Sequence, residues 1–249
     1  MLDGSLFLPA FVAGLLVLIT HVPLGRAVLQ RGIIFIDLAI AQIAGLGVIL
    51  AYTLGWEVDG IKTQLIALST ALIGAFLLGK TEHLLKERQE ALIGISFVLA
   101  ATAGLLLLAH NPHGGEHLRE LLIGQILWTT WDSLIPLAIA SFVFLVLYWK
   151  IPHLLHRPYF YLIFAVMITF SVQIVGVYLV FSSLIMPAFA VYNAKKYPLT
   201  QALLLGVMAY SLGLLISLVL DWPTGATLVW SLFLMMTLYL IIKKPLLPE

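Results

Sequence analysis

Residues Arg31 to Gly47 read RGIIFIDLAIAQIAGLG, an apolar run interrupted by one carboxylate, Asp37, and one amide, Gln42. An acid at the centre of a spanning helix costs about 2.5 to 3.5 kcal/mol on insertion scales, so such a residue usually faces a partner or a water-filled path. Asp37 is therefore a candidate functional residue. A second reading stands beside it. Asp37 follows Arg31 by six residues, about 9 Å along a helix axis, and a pairing of the two near the membrane face is the alternative account of the acid. Gln42 admits a simple reading too, because amides in spanning helices commonly hold neighbouring helices together. Side chains five residues apart point roughly 140° away from each other, so Asp37 and Gln42 share a site only through a distortion or a neighbouring helix.

The rest of the chain agrees with a membrane setting. Of 249 residues, 62% are hydrophobic and 10% charged, too little polar surface to cover a soluble globule of this size. There are no cysteines, which excludes disulfides, thiolate metal sites and cysteine nucleophiles. The N-terminal MLDGSLF carries an acid and no basic residue ahead of its apolar run, which argues against a cleaved secretory signal.

Nine apolar spans follow, near Leu6 to Val22, Ile33 to Leu54, Thr63 to Leu78, Ala91 to Ala109, Leu134 to Trp149, Tyr159 to Val175, Val177 to Tyr192, Gln201 to Leu220 and Ala226 to Ile242. All are expected to be helical, because backbone groups in hydrocarbon must be satisfied internally. An apolar piece from Leu121 to Trp131 is too short to cross and predicts a re-entrant or interfacial helix. The expected architecture is an all-α integral membrane protein, one polytopic bundle over residues 1–249, with no internal repeat. Basic residues orient it. Eleven of the 13 Lys and Arg fall on one side if the N-terminus is outside, with Lys62 and Arg119 opposite. The positive-inside rule then makes the C-terminus cytoplasmic. Arg157 and Lys195 share that side only if Tyr159 to Tyr192 crosses twice, turning near Val175 and Gly176.

Several motifs carry chemistry. Gly74 to Thr81, GAFLLGKT, satisfies G-x-x-x-x-G-K-[ST], but a phosphate loop needs a solvated strand-to-helix turn and these residues finish an apolar span, so nucleotide binding there is rejected. The external segment AHNPHGGEHLRE, residues 109–120, places His110, His113, Glu116 and His117 within eight residues. Imidazole and carboxylate ligands suit zinc and manganese. Pro112 and two glycines oppose a helix that would align His113 with His117, so the alternative is a polar loop with solvated histidines. His21, beside Pro23, reads as a helix-end residue. In VGVYLVFSSLIMPAFA, Pro187 removes a backbone hydrogen bond that Ser182 and Ser183 are placed to compensate. That segment reads either as close helix packing or as a bent helix beside a conduction path. Neither an intramembrane nucleophile with a base nor a His/Glu metalloprotease helix is found.

Taken together, these stretches resemble the membrane-spanning permease subunits of zinc and manganese ABC importers. RGIIFIDLAIAQIAGLG is similar to that family's arginine-rich turn followed by G-D-x-L-x-H-x-x-x-x-G. Residues 91–128 resemble a branch with a P-H-G-x-E-H loop and a short G-x-I-L-W helix, IVGVYLVFSSLIMPAFA resembles the V-G-x-L-L…P-A helix, and DWPTG resembles the D-x-P-x-G turn. The resemblance implies a homodimeric permease, not itself an enzyme, in a bacterial inner membrane. Its implied partners are a cytoplasmic ATPase subunit and an extracytoplasmic metal-binding protein, with no nucleic acid. No permanently bound cofactor is implied; zinc, or else manganese, is the transported ion. Asp37 matches the family's intramembrane aspartate, Gln42 falls one residue after its histidine, and Pro112, His113, Gly114, Glu116 and His117 match the loop. One departure stands out. The family's longer cytoplasmic segment that docks on the ATPase corresponds here only to WKIPHLLHRPY, Trp149 to Tyr159. Either another loop, such as Lys80 to Glu90, makes that contact or coupling to ATP is weakened or absent, which leaves an ATPase-independent transporter or channel as the alternative.

Overall fold

The computed structural model describes residues 4–57, 60–85, 88–109, 122–155 and 159–243. Among them are nine α-helices: α1 (Gly4–Arg31), α2 (Ile36–Thr53), α3 (Ile61–Leu85), α4 (Gln89–Leu108), α5 (Trp131–Lys150), α6 (Tyr159–Val175), α7 (Val177–Ala190), α8 (Pro198–Leu220) and α9 (Thr224–Lys243). A 3₁₀ turn, Ile126–Trp128, precedes α5, and no strand occurs among the described residues. Seven helices are long and apolar enough to cross a bilayer, while α6 and α7 are shorter. The all-helical polytopic bundle expected from the sequence is what forms.

Helix α1 is the hub. Ala10, Ala13, Val17, Leu18, Leu24 and Val28 are all fully buried, where the helix packs on α5, α6, α7, α8 and the 3₁₀ turn. Helix α2 lies against α3 and α4, and α8 pairs with α9. Outward faces are apolar instead of polar, as at Leu99, Leu106, Phe142, Val219 and Trp230, which suits contact with lipid.

Two expectations are corrected. The first span does not end at Val22, because α1 runs through Pro23 to Arg31. A proline in a helix loses one hydrogen bond, and here buried Val22, Leu24 and Val28 on either side of it hold the helix by packing. His21 is thus a fully buried mid-helix residue, its Nδ1 3.0 Å from Val17 O and 3.0 Å from Thr20 Oγ1. The short helix expected over Leu121 to Trp131 is also different. Gly124 takes φ +68°, a 3₁₀ turn follows, and Thr130 already caps α5, its Oγ1 accepting from Ser133 N. Ile126 is buried and packs towards α1, so this piece is inserted into the bundle.

The expected reversal at Gly176 is present. Arg31, at the end of α1, stacks over Phe160 at the start of α6. Gly25, on the same half of α1, packs on the C-terminal half of α7, where a Cβ would lie 1.9 Å from Leu184 O and 3.3 Å from Ala188 Cβ. The chain therefore leaves that end along α6 and returns to it along α7. With 17 and 14 residues, the two arms span about 25 and 21 Å, short of a hydrocarbon core of about 30 Å. The turn is made short of a full span, and its backbone is covered. Gly176 (φ +79°) meets Gly124, where a Cβ on either residue would fall 2.2 to 2.4 Å from the other strand's main chain. Only glycine permits both the left-handed conformation and this approach.

Candidate functional site

The α1–α2 reversal sets up the site. Gly32 takes φ +68° after Arg31, the Ile33 and Ile36 amides close the turn on Val28 O and Ile33 O, and α2 starts at Ile36 with Phe35 as its N-cap. Asp37 consequently falls in the first turn of α2, and its side chain points inward with 1% exposure. Neither of its carboxylate oxygens has a side-chain partner among the described residues, and the groups that act on them are the backbone amides of Asp37 and Leu38 at the start of α2.

Arg31 is not its counter-ion. The guanidinium donates from NH1 to Glu82 Oε1 at 3.0 Å and from NH2 to Leu155 O at 2.7 Å, and its carbon lies 4.4 Å from the centre of the Phe160 ring. One arginine thus ties together α1, α3, the turn after α5 and α6. The reading in which Asp37 is a membrane-face partner of Arg31 is not what the structure contains.

The sequence reading left Glu90 in a loop. It opens α4, and its Oε1 accepts the Phe35 N–H of the α2 N-cap at 3.1 Å while Oε2 is buried without a partner. The available signal was a polar pair, Gln89–Glu90, at the head of an apolar helix. Gln89 is structural: it is 2% exposed and donates from Nε2 to Leu78 O at 2.8 Å and to Tyr161 Oη at 3.4 Å.

Gln42 is placed elsewhere. It lines an open cavity of about 960 Å³ with Leu38, Gln125, Tyr178, Ser182 and Trp230, and it also borders a void of about 10 Å³ beside Gly45, Gly104 and Val172. Asp37 lines neither of these two cavities. The turn residues Gly124 and Pro223 and the helix starts at Val177 and Gly225 line the larger cavity. Irregular backbone at membrane depth is tolerated where it is buried or lines such a space. The DWPTG turn supplies part of that wall: Asp221 takes φ +53°, and Ser217 Oγ donates to Trp222 O at 2.8 Å.

Helix α7 is continuous through Pro187. The carbonyl that Pro187 leaves free is that of Ser183, yet Ser182 Oγ and Ser183 Oγ donate to Tyr178 O and Leu179 O. The serines therefore do not compensate the proline. Ser183 Oγ instead meets Tyr210 Oη at 2.8 Å, tying α7 to α8. The G-x-x-x-x-G-K-[ST] stretch lies inside α3, helical from Ile61 to Leu85, and makes no phosphate loop. His110, His113, Glu116 and His117 lie outside the described residues. Among the described residues no group of three or more His, Cys, Asp or Glu side chains gathers to hold a metal.

Comparisons with known proteins add to this geometry. The manganese transport system membrane protein MntC of Halalkalibacterium halodurans is 26% identical over 92% of this chain and 84% of its own length. A Chlamydia pneumoniae membrane protein described as part of a metal transport system is 24% identical over 96% of this chain and 89% of its own. PsaBC from Streptococcus pneumoniae, solved in complex with a Fab, superposes with a TM-score of 0.74 at 19% identity, covering 94% of this chain and 91% of that one, which shows a shared fold. The model of the ABC 3 transport family matches residues 4–157 and 149–243. Helices, intramembrane reversal and buried acid therefore sit in a chain that belongs to the ABC 3 transport family.

Proposed function

We propose that this chain is the membrane-spanning permease subunit of an ATP-driven importer of a divalent transition metal, manganese or zinc, acting as a homodimer by alternating access. The observation that carries the reading is Asp37, buried at 1% exposure with no basic side chain paired to it among the described residues. A carboxylate is kept in such a place where a cation visits it. Metal arrives from an extracytoplasmic binding protein near the loop of His110, His113, Glu116 and His117, passes Gln42 and Asp37, and is released to the cytoplasm. Hydrolysis of ATP belongs to a separate cytoplasmic subunit. In a bacterial inner membrane the N-terminus is outside and the C-terminus cytoplasmic, in accord with the side on which most basic residues fall.

The short connection after α5 favours a second reading, transport without an ATPase. A cleft of about 910 Å³ weighs against it: Arg26, Gln30, Tyr148 and His153 line it at the same end as that connection, which offers a partner a seat that does not require a longer loop. Transport needs an element through which partner closure biases two access states, and the turn at Leu155, bonded to Arg31, is placed to serve. Uptake of radioactive manganese and zinc by the protein in liposomes, with and without the ATPase encoded nearest to its gene and ATP, tests both readings. ATP-dependent uptake that is lost in Asp37→Ala at equal protein level is the expected result. Uptake that ignores ATP selects the second reading, and uptake that survives Asp37→Ala removes Asp37 from the path.

A further inference from the structure

We propose that the lysines gathered where α7, α8 and α9 meet the membrane surface hold the headgroup of an anionic phospholipid. The proposal goes beyond transport and does not depend on which ion is carried. Lys195 and Lys196 lie exposed in the turn between α7 and α8, and exposed Lys243 is the last residue of α9. One side chain joins the two places. Gln201, in the first turn of α8, donates from Nε2 to Lys196 O at 2.6 Å, and its Oε1 accepts from the Tyr239 hydroxyl of α9. Lys243 Nζ stands 5.6 Å from the centre of the same Tyr239 ring. The turn and the helix end are thereby fixed to each other, with a lysine on either side of the Gln201–Tyr239 contact.

Nothing acidic offsets these charges. The sequence has no Asp or Glu between Asp132 and Asp221, and the next after Asp221 is Glu249. Asp221 closes α8 at the opposite end of that helix from Lys196. None of the three lysines is paired with a carboxylate among the described residues. The half of the bundle built on α3 and α4 differs, because Glu82 and Glu90 accompany the basic residues there. A basic cluster without acids at a membrane surface attracts anions.

The surroundings select lipid among anions. Leu204 of α8 and Ile241 of α9, close to the lysines along their helices, are exposed, and apolar outward faces suit acyl chains. Tyr192 and Tyr197 flank Lys195 and Lys196 and are exposed as well, and tyrosine settles at headgroup level. On the orientation proposed above this end is cytoplasmic, and anionic lipids of that leaflet draw juxtamembrane lysines. An acidic protein surface offers the lysines the same charge but leaves the apolar flank uncovered. A phospholipid covers both.

The test titrates the full-length purified protein in detergent with phosphatidylglycerol and, separately, with phosphatidylcholine of identical chains, counting bound lipid by native mass spectrometry. One lysine near the surface is worth about fivefold in affinity. The double variant Lys196→Gln/Lys243→Gln should therefore bind phosphatidylglycerol at least about tenfold more weakly, with phosphatidylcholine unchanged. A second double variant, Lys80→Gln/Arg88→Gln, removes the same charge from the α3–α4 side and should keep wild-type binding. Thermal unfolding checks the fold, and Lys243→Gln alone, expected to lose about fivefold, decides the matter where the first double variant does not fold. Unaltered phosphatidylglycerol binding in the lysine variants overturns the proposal, as does an equal loss in both double variants, which makes the effect one of total charge. Displacement of the lipid by an equal concentration of inorganic phosphate overturns it too, since a free anion then suffices. So does loss of ATPase-subunit binding in Lys196→Gln/Lys243→Gln with lipid binding intact, which assigns the lysines to a protein partner.

Discussion

Arg31 and Glu82 form a 3.0 Å ion pair between the end of α1 and the end of α3, with 16% and 8% of their side chains exposed. This pair takes the arginine away from Asp37 and fixes the turn at Leu155 to the helices. Removing one partner of a fully buried pair costs about 3 to 5 kcal/mol, and Arg31 here also holds Leu155 O and the Phe160 ring. Arg31→Ala should therefore lower stability by about 3 kcal/mol, measured as a large fall in unfolding temperature in detergent. Arg31→Lys should recover less than half of the loss, because an ammonium cannot serve Glu82, Leu155 O and the Phe160 face at once. Equal stability of wild type and Arg31→Ala would refute this account.

Gly176 and Gly124 touch through their main chains. Gly176→Ala must place a Cβ 2.3 Å from Gly124 N at φ +79°, adding a backbone strain of about 1 to 2 kcal/mol to a severe overlap. Little folded protein is expected from this variant or from Gly124→Ala, and combining the two should not help. Size-exclusion profiles of the expressed variants decide it. A monodisperse, stable Gly176→Ala would show that the reversal does not depend on this crossing.

Tyr210 is fully buried, its hydroxyl 2.8 Å from Ser183 Oγ and its ring against Gly14. Tyr210→Phe removes one hydrogen bond, about 1 kcal/mol, because Ser183 keeps Leu179 O as acceptor. Tyr210→Ala empties a core position and should cost about 3 to 5 kcal/mol. Thermal unfolding that ranks the two alike would contradict the division between ring and hydroxyl.

Gln42 offers a choice between two jobs. As a cavity residue it should affect transport, so Gln42→Ala is expected to reduce metal uptake several-fold while changing stability by less than about 1 kcal/mol. If its job is to hold helices together, unfolding temperature falls and uptake per folded molecule stays constant. Both quantities come from the same purified sample.

The helical bundle was legible because its signal is long and redundant: each span repeats the same demand for internal backbone bonding, and the basic residues locate the reversal at Gly176. The ends of helices were harder to read. Pro23 suggested a stop at Val22, yet buried side chains on either side carry α1 on to Arg31. Likewise Gly124 and Thr130 dismantle the helix expected from the apolar run Leu121 to Trp131. Asp37 stood out because a lone acid in an apolar run is conspicuous. Glu90 did not, since it borders charged loop residues and only packing of α4 on α2 brings it beside the Phe35 amide. Pairings between helices are tertiary facts, and no spacing along the chain encodes that Arg31 chooses Glu82.

The shortness of α6 and α7 has an electrical consequence. Their reversal stops about 5 to 9 Å short of a full hydrocarbon thickness, and the cavity beside Val177 and Gly225 opens there. A recess of this kind that is continuous with the adjoining solution would carry its potential inward, so the membrane voltage would drop over a thinner layer of protein than of lipid. A divalent ion at the reversal would then have crossed little of the roughly 4.6 kcal/mol that two charges meet per 100 mV. The steep part of the field would lie between Gly176 and the end of the bundle that holds Arg31.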